Sequence, residues 1–416
     1  MKIIADLHIH SRYSRATSKD MEVETLNRYA EMKGINLLGT GDFTHPQYFA
    51  ELTEKLEPLG NGLFRLKNKR STVHFMLTAE TSHIFSVKGK TKRVHVILMA
   101  PSFEAVEKIN RVLARRGNIA SDGRPIFGMH VKDMVKLMLD VSPDCLIVPA
   151  HAWTPWFSVF GSMSGFDSIE ECFEEQAKNI YAIETGLSSD PAMNWRFSKL
   201  DPITLISNSD SHSPARIGRE ANVFDCKMDY AEILDVIRTG DPKRFLYTVE
   251  FYPAEGKYHF DGHRDCGVVF APQTSREHEF LCPKCGKKLT IGVMHRVEDL
   301  ADRPEGFTPS EKVPFCNMIP LDEIIADAFG KGVATKTVAQ EYERMIQRLG
   351  PELGILLDLN ETQLKSVASP RVLAGILNVR HGNVRIEPGY DGVYGKIKVC
   401  GEEKAPGGQK ELFSMS

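Results

Sequence analysis

The chain has 416 residues, 42% hydrophobic and 26% charged, which is enough to bury a substantial core and to divide into two or three domains. Its net charge of -3 excludes the global basic signature of many nucleic-acid binders, so any such contact must rest on local features. The start, MKIIADLHIH, places charged and histidine residues where a leader would need an unbroken apolar run, and no later stretch is long enough to span a membrane. A soluble, cytoplasmic protein with no membrane partner is expected.

In chain order, short apolar runs rich in β-formers occur at IIADLHI, INLLGTG, VHFMLTAE, RVHVILMA, CLIVPAH, IYAIETG and ITLISNS. Most are separated by segments of helical periodicity or by polar loops. Runs of this kind, buried on both faces and joined through helices, predict a parallel α/β barrel or sheet over residues 1–250. Around Phe251 the pattern changes to FYPAEGKYHFDGHRDCG, and a small cysteine-containing module is expected over 251–300. Residues 301–416 read as a helical domain with a flexible tail, its helices being LDEIIADAF, KTVAQEYERMIQRLG and SPRVLAGILNVRHG. Ser369 and Pro370 form a good start for the last of these.

In α/β folds chemistry collects at the carboxyl ends of the strands. Here those ends carry His8 and His10, Asp42, Glu80, His151, Glu184, and Asp210 with His212. Side chains alternate along a strand, so His8 and His10 point the same way and can grip one ion, as can Asp210 and His212. One such pair alone reads equally well as two hydrogen-bonded histidines. Carboxylates and histidines at five strand ends are harder to explain as packing, because an unpaired buried carboxylate costs several kcal/mol. Glu80 is the candidate bridging carboxylate, and Glu184 a support for a ligand imidazole. His95, inside RVHVILMA, reads as a satisfied core histidine.

The D-L-H-x-H, T-G-D, strand-end Glu80, P-A-H and S-D-S-H segments resemble the PHP (polymerase and histidinol phosphatase) superfamily over residues 1 to about 250. The resemblance implies a distorted seven-stranded (β/α) barrel holding divalent ions, zinc with manganese or magnesium as alternatives, and hydrolysing phosphoesters. It implies an active-site ligand set of His8, His10, Asp42, Glu80, His130, His151, Asp210 and His212, with Glu80, Asp210 and His212 catalytic. Many members have T-D-H where this chain has Thr40-Gly41-Asp42, so Asp42 would replace a histidine ligand. His130, in FGMHVKD, also reads as a helix-start histidine.

His263-x-x-Cys266 and Cys282-x-x-Cys285, fifteen residues apart, have the spacing of one tetrahedral, structural zinc. Gly286 after the second pair lets backbone amides approach the sulfurs. His259 and His278 are alternatives for the fourth ligand. A redox C-x-x-C should open a helix beside a βαβ unit, whereas this one follows the strand-like EFL.

A PHP barrel, a zinc module and a helical tail together resemble the endonuclease Q family, and GKYHFDGHRDCG, LCPKCGKKLTIGVMHRVEDLADRPEG and EPGYDGVYG look like its segments. That resemblance implies nicking of DNA on the 5′ side of hypoxanthine, uracil, xanthine or an abasic site, a DNA partner and a nucleoid-associated location. Trp153, Trp156, Phe157 and Phe160, in the loop after His151, are candidates for stacking on an extruded base. Lys88, Lys90 and Arg93 are candidates for tracking phosphates. Gln409-x-x-Leu412 begins like a sliding-clamp motif but lacks the aromatic pair. A small-molecule phosphatase of histidinol-phosphatase type would need the barrel but not the extra C-terminal residues. A non-catalytic DNA-binding module would not need the ligand set.

Overall fold

The computed structural model describes residues 1–400. Seven strands close a barrel: β1 Lys2–Asp6, β2 Leu37–Gly39, β3 His74–Val87, β4 Lys90–Ala100, β5 Leu146–Pro149, β6 Ala182–Glu184 and β7 Thr204–Ile206. Each matches one of the seven apolar runs. The ladders β1–β2, β2–β3 and β6–β7 are parallel. The β5 and β6 ends meet through the Ala152 N–H donating to the Glu184 carbonyl, and a parallel bridge between Ile9 and Ser211 returns β7 to β1. Ile3, Ala5 and Leu7 alternate into an interior cluster with Leu37, Met76, Ile97, Val148 and Ile206, while Ile4 faces the surrounding helices.

One strand departs from the expected parallel order. β4 is antiparallel to both β3 and β5, because Lys88 and Gly89, both at positive φ, make a two-residue turn between Val87 and Lys90. The consequence is positional: β3 and β4 run past the rim as a hairpin, so both pass it at mid-strand, β3 at Glu80 and β4 at His95, while the other strands end there.

On the other side of β1 the sheet continues outward through Ala221–Asp225 and Phe245–Glu250 to Phe315–Asn317, which pairs in parallel with Phe245–Glu250. Between them, the hairpin Asp261–His263 with Val268–Phe270 and the helices Pro272–Glu277 and Val293–Leu300 form the cysteine-containing module. The C-terminal part holds the three expected helices, Leu321–Phe329, Lys336–Leu349 and Pro370–Arg380, the last capped by Ser369, which accepts from the Val372 N–H. Among the described residues no helix is long and apolar enough to cross a membrane. The Gln409–Leu412 segment lies outside the described residues.

The C-terminal helices are tied to the barrel by a buried ion pair. Glu352 receives Lys33 Nζ at 2.6 Å, the Tyr342 hydroxyl at 2.6 Å and the Leu321 N–H at 3.0 Å. Burial alone would raise its carboxyl, but Lys33 and these donors hold it below the ordinary value of 4.5. A carboxylate depressed in the folded state stabilises above its unfolded value, and that contribution fades as pH falls through the folded one. Glu352→Ala is expected to destabilise by about 3 to 5 kcal/mol by stranding Lys33. In wild type, denaturant melts should show stability declining below about pH 4.5 as this carboxyl takes up a proton. A variant that melts like wild type at pH 7 refutes the role.

Candidate active site

The strand ends converge on Glu80, which is fully buried at the rim of β3. Its two oxygens face different groups. Oε2 lies 3.2 Å from His10 Nε2 and 3.6 Å from His8 Nε2, while Oε1 lies 2.7 Å from His95 Nδ1 and 3.1 Å from His151 Nε2. Asp210 Oδ1 completes the first side, 3.0 Å from His10 Nε2 and 3.7 Å from His8 Nε2. Two metal-sized ligand groups result, His8, His10, Glu80 and Asp210 on one side and Glu80, His95 and His151 on the other, each with its ligand atoms within 4.8 Å of one another.

The imidazoles are aimed from behind. His8 Nδ1 sits 3.0 Å from Glu184 Oε1, and Glu184 also accepts from the His151 N–H and the Asn208 amide. His10 Nδ1 sits 3.0 Å from Asp42 Oδ1. With both Nδ1 atoms taken, both Nε2 atoms turn to the shared space. Among the described residues, His8 Nε2, His10 Nε2 and Asp210 Oδ1 are buried and make no well-aligned hydrogen bond, although His10 Nε2 and Asp210 Oδ1 lie only 3.0 Å apart. Three such atoms gathered at one point would each cost on the order of 1 to 3 kcal/mol if nothing bound them. The donor set fits divalent metal ions.

Charge and strain concentrate at the same place. Burial opposes protonation of His8 and His10, yet the carboxylates around them raise both well above the ordinary value of 6.5. Burial would likewise raise Glu80, but His95, Arg124 and His8 hold it well below its ordinary value. Asp42, His151 and Asp210, three strand-end residues, have φ of 47°, 29° and 46°, a left-handed conformation that costs non-glycine residues energy and persists where surroundings enforce it.

Asp42, expected as a ligand, stands instead behind His10. Its other oxygen is filled by the Ser11 N–H, the Ser11 hydroxyl and the Ser14 hydroxyl. Gly41 makes this possible: a Cβ there would lie 2.3 Å from the Ile9 carbonyl oxygen. His130, also expected as a ligand, caps the helix Val131–Val141, accepting from the Lys132 N–H, with its ring against Phe85. It belongs to neither ligand group. His212 stands at the mouth, its ring 4.5 Å from that of His10 and its Nδ1 on the Asp210 carbonyl.

Two residues escape the sequence reading. His95, read as core, is at the rim because β4 runs backward, and the signal for this was the Lys88-Gly89 turn. Arg124 reaches in from a loop, its Nη1 3.0 Å from Glu80 Oε2, and no strand periodicity marks it.

The aromatic loop after His151 divides. Trp153 and Phe160 are fully buried, with the Trp153 Nε1 donating to Asn194, so they build the core and not a pocket. Phe157 covers His95, ring centroids 4.7 Å apart. Trp156 faces a cavity, a space of about 680 Å³ bordered by Arg219, Phe251, Glu255, Tyr258 and Tyr394. The cavity touches the ligand groups through Thr154, whose hydroxyl is 3.1 Å from His151 Nδ1, and through Arg219, which donates to the Ser209 carbonyl. The basic segment is not a free loop. Lys88 and Lys90 frame the hairpin turn, Lys92 bonds the Gly165 carbonyl, and Arg93 lies over the Phe157 ring.

In the small module, His263, Cys266, Cys282 and Cys285 bring their ligand atoms within 4.8 Å of one another. Burial would raise the Cys282 thiol, but the amides of Lys284 and Cys285 aimed at its sulfur bring it below its ordinary value. The set suits one tetrahedral zinc.

Fold and site together define a hydrolase with a PHP-type barrel. Residues 320–383 match the family described as the MJ0043 C-terminal domain. The Bacillus subtilis protein YqxK is 30% identical over 415 residues, 95% of this chain and 99% of its own length. MJ0043 of Methanocaldococcus jannaschii is 32% identical over 254 residues, 59% of this chain and 31% of that longer protein. Among solved structures, the lesion-specific endonuclease of Pyrococcus furiosus superposes with a TM-score of 0.85 at 32% identity, covering 96% of this chain and 95% of that one. An endonuclease Q complexed with a 27-mer duplex bearing an abasic lesion at its active site superposes at 0.84 and 31% identity, covering 98% of this chain and 99% of that one. The chain belongs to the endonuclease Q family.

Two outcomes are expected. Asp210→Ala should lose metal from the barrel, whereas Asp42→Asn, which only unseats the His10 imidazole, should weaken metal affinity about 10- to 100-fold. Metal titration of the apoprotein measures both, and equal affinities in wild type and Asp210→Ala would remove the assignment. Cys282→Ser should lower the zinc count by one per chain and destabilise the module without emptying the barrel; an unchanged count contradicts it.

Proposed function

We propose that this hydrolase of DNA phosphodiester bonds is a metal-dependent, lesion-specific endonuclease that cuts on the 5′ side of deaminated bases and abasic sites, and that it reads a base extruded into the cavity beside its ligand groups. The observation that carries the metal dependence is the convergence of His8 Nε2, His10 Nε2 and Asp210 Oδ1, buried and without a well-aligned hydrogen bond, beside a carboxylate shared with His95 and His151. His8, His10, Glu80 and Asp210 would hold one ion and Glu80, His95 and His151 a second, with zinc favoured by four imidazoles and manganese or magnesium as alternatives. Such ions supply Lewis-acid activation of water and neutralise charge at phosphorus. The chain's own part is to fix the ligands through Glu184 and Asp42 and to exclude bulk water around Glu80.

Damaged DNA as substrate draws on the relatives. The Pyrococcus furiosus protein is a lesion-specific endonuclease, and the duplex complex carries an abasic lesion at its active site. A small-molecule phosphatase would leave the module and the C-terminal helices without a use.

Hypoxanthine and uracil share one change from adenine and cytosine: an exocyclic amino donor has become a carbonyl acceptor with an N–H beside it. A main-chain N–H in the loop after His151 would read that carbonyl, since a backbone amide cannot turn to accept. The undamaged base would leave buried polar groups unpaired, at about 1 to 3 kcal/mol each. Trp156 at the cavity edge would stack on the base, and the location would be cytoplasmic, in association with the nucleoid.

Labelled duplexes with one uracil, hypoxanthine or abasic site, mapped at nucleotide resolution after incubation with protein and metal, test the reading. Undamaged and damaged duplexes cut alike would sink it. Trp156→Ala should slow cleavage at uracil and hypoxanthine by about 10-fold or more, the worth of one stacked base, and leave abasic sites nearly unaffected. Phe157→Ala, by loosening His95, should slow all three alike. If Trp156→Ala also slows all three equally, the base is read elsewhere.

A further inference from the structure

We propose that Arg124 is a catalytic residue, whose guanidinium grips a non-bridging oxygen of the scissile phosphate. This rests on the endonuclease reading and adds to it a group that comes from neither a strand end nor a metal ligand.

The backbone that carries Arg124 is pinned on every side. The Gly123 N–H donates to the Tyr13 carbonyl, Thr44 donates to the Gly123 carbonyl, and the Ser82 N–H donates to the Pro125 carbonyl. Asp122 Oδ1 accepts from the Arg124 and Arg15 amides. Gly123 presses so closely on the site that a Cβ would lie 2.2 Å from Asp42 Oδ2 and 2.3 Å from Ser14 Oγ. The loop is therefore registered against the same Asp42 that aims His10. A loop held this tightly places its side chain with the accuracy that catalysis needs.

The side chain is only partly used. Nη1 bonds Glu80 Oε2 at 3.0 Å, and the side chain remains 28% exposed. That bond is to the carboxylate oxygen on the His8, His10 and Asp210 side. Guanidinium offers five donors in a planar fork and is never deprotonated, so one contact leaves most of the fork for an incoming anion. A permanent cation beside the oxygen that faces a metal-ligand group is a poor choice for neutralising Glu80, because it competes with any ion there. It is a good choice for a site whose substrate arrives with its own negative charge.

The chemistry assigns the work. A water oxygen bonds to phosphorus, the bond from phosphorus to the 3′ oxygen of the preceding nucleotide breaks, and that oxygen takes up a proton. The products are a 3′-hydroxyl and a 5′-phosphate on the lesion side. Charge builds on the equatorial phosphate oxygens on the way, and a preorganised guanidinium stabilises them more than it does the diester.

The test compares wild type, Arg124→Lys, Arg124→Gln and Arg124→Ala in single-turnover cleavage of an abasic-site duplex, with bound metal and duplex affinity measured on the same preparations. Arg124→Gln should cleave about 10²- to 10³-fold more slowly, with metal content and duplex affinity close to wild type. Arg124→Lys should fall between the two, and added guanidinium should restore part of the rate to Arg124→Ala. A wild-type rate in Arg124→Gln overturns the proposal. So does loss of metal in that variant, which would make Arg124 a positioning group for Glu80. All proteins are also assayed on bis-p-nitrophenyl phosphate, a diester without a base. If wild type cuts that and no duplex, the endonuclease reading fails while the comparison for Arg124 still decides. If wild type cuts neither, both fail.

Discussion

A carboxylate with no access to solvent, Glu80, sits between four imidazoles and a guanidinium, and the barrel rim is arranged around that one buried charge. An isolated carboxylate there would take up a proton rather than stay ionised. The surrounding cations and imidazoles make ionisation the favoured state. This explains why the ligands come from so many strands. One oxygen needs partners from the segment after β1, the other from β4 and the loop after β5, and a closed barrel brings those three places within contact.

Much of this was legible in the chain. Every barrel strand announces itself as an apolar run, and His8, His10, Glu80, His151 and Asp210 can be found by asking which runs end in His, Asp or Glu. What the runs do not carry is direction. His95 precedes an apolar stretch instead of following one, so a rule built on carboxyl ends passes over it, although a two-residue Lys-Gly turn marks the reversal. Asp42 fails the other way. It stands at a strand end, but whether a carboxylate meets a cation or the back of an imidazole depends on its depth, which here is set by Gly41 passing against Ile9. Arg124 leaves no trace in periodicity because its position depends on a loop contact, Gly123 on Asp42.

The aromatic loop shows the same limit. Four aromatics in eight residues suggest a pocket, and the structure gives three of them to support. Trp153 and Phe160 fill the core, and Phe157 lids His95. Composition cannot distinguish an aromatic that builds a wall from one that faces the room, since both are apolar and neighbouring in sequence. Burial decides, and Trp156 alone is left exposed.

The loop also explains how a module remote in sequence bears on the chemistry. Arg296, on the helix Val293–Leu300, donates to the Phe160 and Phe166 carbonyls and pairs with Asp167, clasping the loop between its turns. That helix is seated on the hairpin through Asp261, which accepts from the Gly292 N–H at 2.7 Å and meets His295 Nδ1 at 2.6 Å. Asp261 lies two residues before His263, one of the four candidate zinc ligands, on the same short strand. A zinc ion closing His263, Cys266, Cys282 and Cys285 would fix the strand, the strand fixes Asp261, and Asp261 holds the helix whose arginine clasps the loop. The small module thereby steadies the segment from Phe160 to Asp167, which follows His151 and Trp156 in the chain, without contributing a ligand to the barrel.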